Sequence, residues 1–206
     1  ARGGGTSQAG QAIGEGLQVD FSRYFGELLE LQPDRKRVRV QPGIVLDELN
    51  ATLEPFGLTL PLDLSTSSRA TIGGMIANNS SGTRSVIYGK TIDYVESLTV
   101  MLADGSVVVL DDSAPEKLDT LHGRCHQAVV NLAAEHAAEI DLRYPKVLRR
   151  VGGYNLDEFT PGHQRPHNLS RIIVGSEGTL ALVLEATLRL VPIPARRCLL
   201  SIQFDD

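Results

Sequence analysis

Ile44, Leu46, Leu49 and Leu53 recur at helical spacing and predict a helix from about Val45 to Pro55, closed by Phe56-Gly57. Before it, Leu28 to Leu31 and Val38 to Val40 run or alternate apolar around Pro33-Asp34, which predicts a hairpin. Arg35-Lys36-Arg37 reads as a solvated turn between those strands. A short strand is expected at Leu17 to Asp20, and Leu58 to Pro61 is expected to be extended. Tyr94 to Leu102 alternates at period two, and Val107 to Leu110 returns after the Asp104-Gly105 turn signal. Leu118, Leu121, Cys125, Val129 and Leu132 make one apolar stripe, so Pro115 to about Ala138 is expected to be an amphipathic helix. Asp141 to Asn168 reads as irregular. Arg171 to Val174, Leu180 to Val191 and Cys198 to Phe204 read as strands. Strands, hairpins and isolated helices without regular βαβ alternation predict an α+β fold.

Composition narrows the class. The chain has 206 residues, 42% hydrophobic, enough for one domain or two lobes with a core. Its net charge of −5 and the lack of a basic stripe set nucleic acid aside as a partner. Cys125 and Cys198 lie far apart and match no metal or disulfide pattern, which points to a reducing, cytoplasmic compartment. No run approaches the roughly 18 apolar residues of a transmembrane helix.

Three glycine-rich segments carry the chemistry. The first is Arg2-Gly3-Gly4-Gly5-Thr6-Ser7. Consecutive glycines let successive backbone N–H groups form a concave anion nest, and Arg2, Thr6 and Ser7 add charge and hydroxyls. A phosphate loop ordinarily follows a strand, so the chain reads as a piece of a larger protein whose first lobe begins before Ala1. The second segment runs from Ser65 to Gly82, and the third is Gly175-Ser176-Glu177-Gly178-Thr179-Leu180. Together they suit a large, flat ligand with phosphates at one end. No Gly-x-Gly-x-x-Gly follows a strand and no Gly-Lys-Ser/Thr closes a loop, so neither a Rossmann fold nor a P-loop is supported.

The order and spacing of Arg2–Ser7, Thr71-Ile72-Gly73-Gly74, Tyr88-Gly89 and Gly175–Leu180 resemble the FAD-binding domain of the vanillyl-alcohol oxidase / para-cresol methylhydroxylase superfamily. The chain is most similar to the D-lactate, glycolate and D-2-hydroxyglutarate dehydrogenase branch. Thr6 to Gln11, Arg69 to Ser81 and Arg150 to Leu156 look closer still to its long bacterial members, which carry an iron–sulfur region. The resemblance implies a PCMH-type fold of two α+β lobes over residues 1–206, with the N-terminal lobe incomplete and the substrate domain outside the chain.

By that resemblance Arg2 and Gly3 to Ser7 wrap the FAD pyrophosphate. Ser65, Ser68 and Thr71 line the nucleotide and flavin path, and Ile72, Gly73 and Gly74 lay backbone against the isoalloxazine. Asn78, Asn79, Ser81 and Gly82 continue the contacts. Glu177, Gly178, Thr179, Leu180 and Val183 close the adenine or ribose side. Ala181 stands where the family's third motif has glycine. Thr6 stands where covalent members place a flavin-linked histidine, so dissociable FAD is expected. Glu177 reads equally as a turn cap or a ligand contact.

The implied parent oxidises a D-2-hydroxy acid to a 2-oxo acid, with the acid held by a domain outside this chain and the fragment alone inactive. Iron–sulfur centres of the parent are the implied electron acceptor, and its implied location is the cytoplasmic side, peripheral to the inner membrane. Two alternatives stay open: an oxygen-using alcohol or sugar oxidase on the same fold, and a non-catalytic module that keeps the fold for interaction. No metal site is expected. His122 and His126 read as a solvated helix face, and His163 and His167 as polar loop residues. Tyr88, Tyr94 and Tyr154 read as packing or hydrogen-bonding residues. No Ser/His/Asp set or paired carboxylate is spaced for catalysis, as fits a protein whose cofactor carries the chemistry.

Overall fold

The computed structural model describes residues 1–196, 198 and 200–203. The hairpin read around Pro33 forms: β1 (Leu28–Gln32) and β2 (Arg37–Val40) pair antiparallel. A single 3-10 turn at Pro33–Arg35 joins them and ends on Lys36 at φ 52°. Helix α1 (Leu46–Leu53) follows, with Leu46, Leu49 and Leu53 all buried on one stripe. A 3-10 turn over Glu54–Phe56 extends it, Gly57 closes that turn at φ 68°, and β3 (Leu58–Thr59) begins.

The small-residue segment after it contains two helices the pattern did not announce, α2 (Ile72–Asn78) and α3 (Ser85–Tyr88). Then come β4 (Val95–Met101), β5 (Val107–Leu110), α4 (Leu121–Glu135), α5 (Ala137–Arg143), α6 (Ser170–Ile173), β6 (Leu182–Arg189) and β7 (Val191–Pro192).

Five strands form one antiparallel sheet in the order β1-β2-β6-β4-β5, and β3 pairs with β7 in a second small sheet. Register explains the core. Val40, Ala186, Leu98 and Leu110 stand opposite one another across β2, β6, β4 and β5, and all four are buried. They share one cluster with the α1 leucines and with Ile72, Met75 and Ile76 of α2. Burying a Leu or Ile side chain in such a cluster stabilises by about 1.5–3 kcal/mol. Across the sheet β2 carries Arg39, which pairs with Glu185 at 2.9 Å and Glu30 at 3.6 Å.

Four expectations are corrected. Leu17 to Asp20 makes no strand, only a one-residue parallel bridge between Asp20 and Arg2. Arg171 to Ile173 is helix, not strand, and Val174 caps it in an extended conformation. A four-residue apolar run carries no period of its own, and here Asn168 Oδ1 accepts the Ser170 N–H and turns the chain into α6. The long strand expected from Leu180 to Val191 runs only from Leu182 to Arg189: the Leu190 N–H donates to the Lys36 carbonyl, and Val191 and Pro192 pair with β3 instead. The stripe on α4 is displaced. Leu118 precedes the helix and Leu132 faces solvent at 44% exposure, while Ala133 is buried and Cys125, Val129 and Val130 pack against the core. The strand expected at Cys198–Phe204 lies partly outside the described residues, and Ser201 to Gln203 carry no strand.

Candidate functional site

All three glycine segments meet on α2. At its N-terminal end Thr71 caps the helix by accepting the Gly74 N–H at 3.3 Å, and the Gly73 N–H donates to the Pro42 carbonyl at 2.7 Å. The first loop lies against that end. A Cβ on Gly3 would fall inside 3.0 Å of Thr71 Oγ1, and one on Gly4 inside 3.0 Å of the Arg69 carbonyl oxygen. At the other end Asn79 turns left-handed at φ 52°. The third loop then takes the last carbonyls: Gly175 N–H donates to Ile76 O and Glu177 N–H to Ala77 O, each at 2.9 Å.

The first loop is pinned at its base. Arg2 N–H donates to Val19 O at 2.8 Å, and Phe21 N–H donates to Arg2 O at 2.9 Å. Its guanidinium folds back over Gly5, which sits at φ +64°. Asp20, paired to Arg2 through the bridge, has its carboxyl held below the ordinary range by the Ser22 hydroxyl and N–H, with a smaller pull from Arg2. Beyond Arg2, the N–H groups of Gly3, Gly4, Gly5, Thr6 and Ser7 donate to no acceptor among the described residues.

These elements enclose a cleft of about 450 Å³. Of the residues singled out in the sequence, Arg2, Gly3, Gly4, Gly5, Thr6 and Ser7 line it together. So do Ser65, Thr71, Gly73, Gly74, Asn78 and Ser81, and across the cleft Glu177, Gly178 and Val183. Ser68, Ile72, Asn79, Gly82, Thr179 and Leu180 are not on the cleft wall. Ile72 is in the core, and Asn79 is buried with its Oδ1 accepting the Ile92 N–H. Gly82 is buried where a Cβ would run into the Asp63 backbone. Glu177 is exposed and left-handed, and its carboxylate accepts from Asn78 Nδ2 at 2.9 Å.

Several cleft residues escaped the sequence reading, among them Phe21, Pro42, Met75 and Ser176. Pro42 lies outside all three glycine segments. Ser176 stood inside the third motif but between its glycines. Met75 had no signal, because a helix beginning Ile-Gly-Gly scores poorly on propensity.

Outside the cleft, Tyr94 is buried, and the Tyr154 hydroxyl meets Thr179 Oγ1 at 2.9 Å. His126 Nε2 lies 3.2 Å from the His167 carbonyl. Among the described residues no helix is long and apolar enough to cross a membrane.

A cleft that combines apolar Met75, Ile76 and Val183 with a run of N–H groups lacking acceptors among the described residues is the arrangement expected of a dinucleotide site. Similarity to known proteins agrees. The family described as FAD binding domain matches residues 1–111. The chain is 38% identical to D-2-hydroxyglutarate dehydrogenase of Pantoea ananatis over 213 aligned residues, covering 99% of this chain and 20% of that protein. It is 31% identical to the glycolate oxidase subunit GlcD of Bacillus subtilis, covering 94% of this chain and 32% of the other. The chain thus spans about a fifth of the hydroxyglutarate dehydrogenase. Among solved structures, alkyldihydroxyacetonephosphate synthase superposes with a TM-score of 0.60 at 22% identity, over 95% of this chain and 28% of that one, a likeness of fold. That fold is the PCMH-type FAD-binding fold anticipated from the glycine motifs, and the chain belongs to the FAD binding domain family.

Proposed function

We propose that the cleft holds FAD without a covalent bond, and that the whole protein oxidises a D-2-hydroxy acid to the 2-oxo acid. The observation that carries the reading is the first loop. Five consecutive N–H groups, from Gly3 to Ser7, donate to no acceptor among the described residues, and these residues line the cleft together with Arg2. That donor set fits a pyrophosphate, which offers several anionic oxygens to a backbone nest.

Arg2 and Gly3 to Ser7 would bind the pyrophosphate. Ser65 and Thr71 would present hydroxyls along the dinucleotide. Gly73 and Gly74 would leave α2 bare, so that a flat ring can lie on backbone without meeting a side chain. Asn78, Ser81, Glu177, Gly178 and Val183 would form the remaining wall. Behind that wall, Ser68, Ile72, Asn79, Gly82, Thr179 and Leu180 would support the contacts. Thr6 offers no nitrogen for a flavin bond, which supports dissociable FAD.

FAD, when bound, supplies the two-electron acceptor for hydride loss from a carbon bearing a hydroxyl. The alignments with hydroxyglutarate, lactate and glycolate enzymes support a 2-hydroxy acid as donor. The acid itself and the terminal electron acceptor, for which we propose iron–sulfur centres, would meet parts of the protein beyond this cleft.

Titrating the chain with FAD, and with riboflavin as control, tests the reading through flavin fluorescence. Saturable binding of FAD with no binding of riboflavin is expected, because riboflavin lacks the pyrophosphate. Equal or absent binding of both would remove the dinucleotide assignment. Denaturing the loaded protein should release all of its flavin.

A further inference from the structure

The third glycine loop has a shape it would not hold alone. Gly175 stands at φ 87°, Glu177 at φ 52° and Gly178 at φ 73°, so three residues in four are left-handed. At Glu177, which carries a β-carbon, such backbone persists only where its surroundings fix it. Part of the fixing is the pair of bonds to α2 already described. The rest comes from a strap of chain running from Val151 to Asn155.

Had α6 continued, the Gly175 N–H would donate to the Arg171 carbonyl four residues back. It donates to Ile76 O instead. That leaves the Arg171 carbonyl without a backbone donor in the interior, and the Val174 carbonyl likewise accepts from no backbone N–H among the described residues. Asn155 meets both: its Nδ2 donates to Arg171 O at 3.0 Å and to Val174 O at 2.7 Å. Asn155 is 1% exposed, and these two bonds use both of its amide protons.

Its neighbour holds the far end of the loop. Thr179 Oγ1 donates its only proton to the Ser176 carbonyl at 2.6 Å. The 2.9 Å contact between Tyr154 and Thr179 therefore has the tyrosine hydroxyl as donor. A relay runs from Tyr154 through Thr179 to Ser176, which lines the cleft. The strap is itself anchored: Tyr144 hydroxyl donates to Tyr154 O at 2.9 Å, and Lys90 Nζ to Arg150 O at 3.1 Å. It passes close behind Gly175, where a Cβ would lie 3.4 Å from Gly153 O and 3.5 Å from Val151 O.

From these contacts we infer that Asn155, assisted by Tyr154, is a positioning residue that sets the third glycine loop in its ligand-accepting shape. Neither side chain lines the cleft, so both act through the loop. The inference rests on the reading of the cleft as an FAD site. The charged groups about the strap and α6 are the pairs Arg150–Asp157 and Arg171–Glu158, with His163 and Arg165 beside Glu158.

The test compares FAD affinity of the full chain with that of Asn155→Asp and Asn155→Leu, from about pH 8 to about pH 5. An aspartate there puts an acceptor against two carbonyls, whereas the protonated acid regains one O–H donor. Relative to the parent chain, Asn155→Asp should bind FAD about tenfold more weakly at the upper end and recover on acidification. Asn155→Leu should stay weak throughout. A merely structural role would weaken both variants alike with no recovery.

Tyr154→Phe, Thr179→Val and the double variant form a second test at exposed positions. Each single change should weaken FAD several-fold, and the double should be no weaker than the weaker-binding single. If the Asn155 variants lose cooperative unfolding, this cycle decides alone. Parent-like FAD affinity in the Asn155 variants at every pH, or in all three of the cycle, overturns the inference. Failure of the parent chain itself to bind FAD would instead sink the cofactor reading. Amide exchange at Gly175 to Thr179, faster in Asn155→Asp than in the parent, then reads the clamp without ligand, and equal exchange overturns it.

Discussion

Gly3 presses directly on Thr71: a β-carbon at residue 3 would overlap the hydroxyl that caps α2. The first loop and the helix therefore meet through the Thr71 hydroxyl, with no side chain from the loop between them. Gly3→Ala should push the loop off the helix. Overpacking of this kind costs about 1–3 kcal/mol, so thermal unfolding should shift down and FAD binding should weaken with it. Unchanged melting and unchanged affinity would mean the loop has slack that the contact does not suggest.

Arg171 and Glu158 offer a sharper stability test. Arg171 is 9% exposed, and its Nε donates to Glu158 Oε2 at 2.5 Å. Removing the carboxylate in Glu158→Gln strands a buried guanidinium, a change that typically costs about 3–5 kcal/mol. Replacing both residues, as in Glu158→Leu with Arg171→Met, should cost much less than that single change. Chemical unfolding of Glu158→Gln, Glu158→Leu, Arg171→Met and the double variant checks the ordering, and additivity of the Glu158→Leu and Arg171→Met changes would remove the pair.

His122 should titrate low. Burial holds its imidazole below the ordinary histidine value, and the neighbouring His126 adds to the effect, while Asp111 opposes it weakly. The fold therefore favours the neutral ring. Its contribution to stability is complete above the unfolded-state value of about 6.5 and is lost as pH falls through the lowered folded value. Following the ring by NMR, His126→Gln should move the midpoint up. A midpoint that stays or falls would assign the shift wholly to burial.

Met75→Ala joins core and cleft. Met75 is 1% exposed, packs in the core cluster and also borders the cleft. Truncating a buried methionine costs about 2–5 kcal/mol. Calorimetry should show that loss together with weaker FAD binding. A stability loss with full affinity would mean the floor of the cleft holds its shape without this side chain.

What the sequence made legible was local. The turn at Asp104-Gly105 needs only its own residues: Gly105 sits at φ +82°, and Leu102 and Ser106 close the hairpin. The α1 leucines were readable because three of them fall on one stripe. The glycine segments were readable as loops because few other residues leave so much backbone bare. Long-range effects were not readable. The run from Arg171 to Val174 has no period, and its helix depends on Asn155 and Asn168, both outside it. Asn79 looked like a ligand contact because it lies among hydroxyls and amides, yet its amide oxygen serves Ile92. The approach of Gly175 to Ile76 joins residues about a hundred positions apart, and nothing in either segment alone announces it.

Helix α2 has one more consequence. Its seven residues touch the first loop at one end and the third loop at the other, while Ile72, Met75 and Ile76 seal the hydrophobic cluster beneath. It works as a keystone. A loop that parts from α2 loses the support it shares with the other loop, and a shift of α2 would disturb the cluster beneath it. Widening of the cleft is therefore coupled to loosening of the interior wherever it moves this helix.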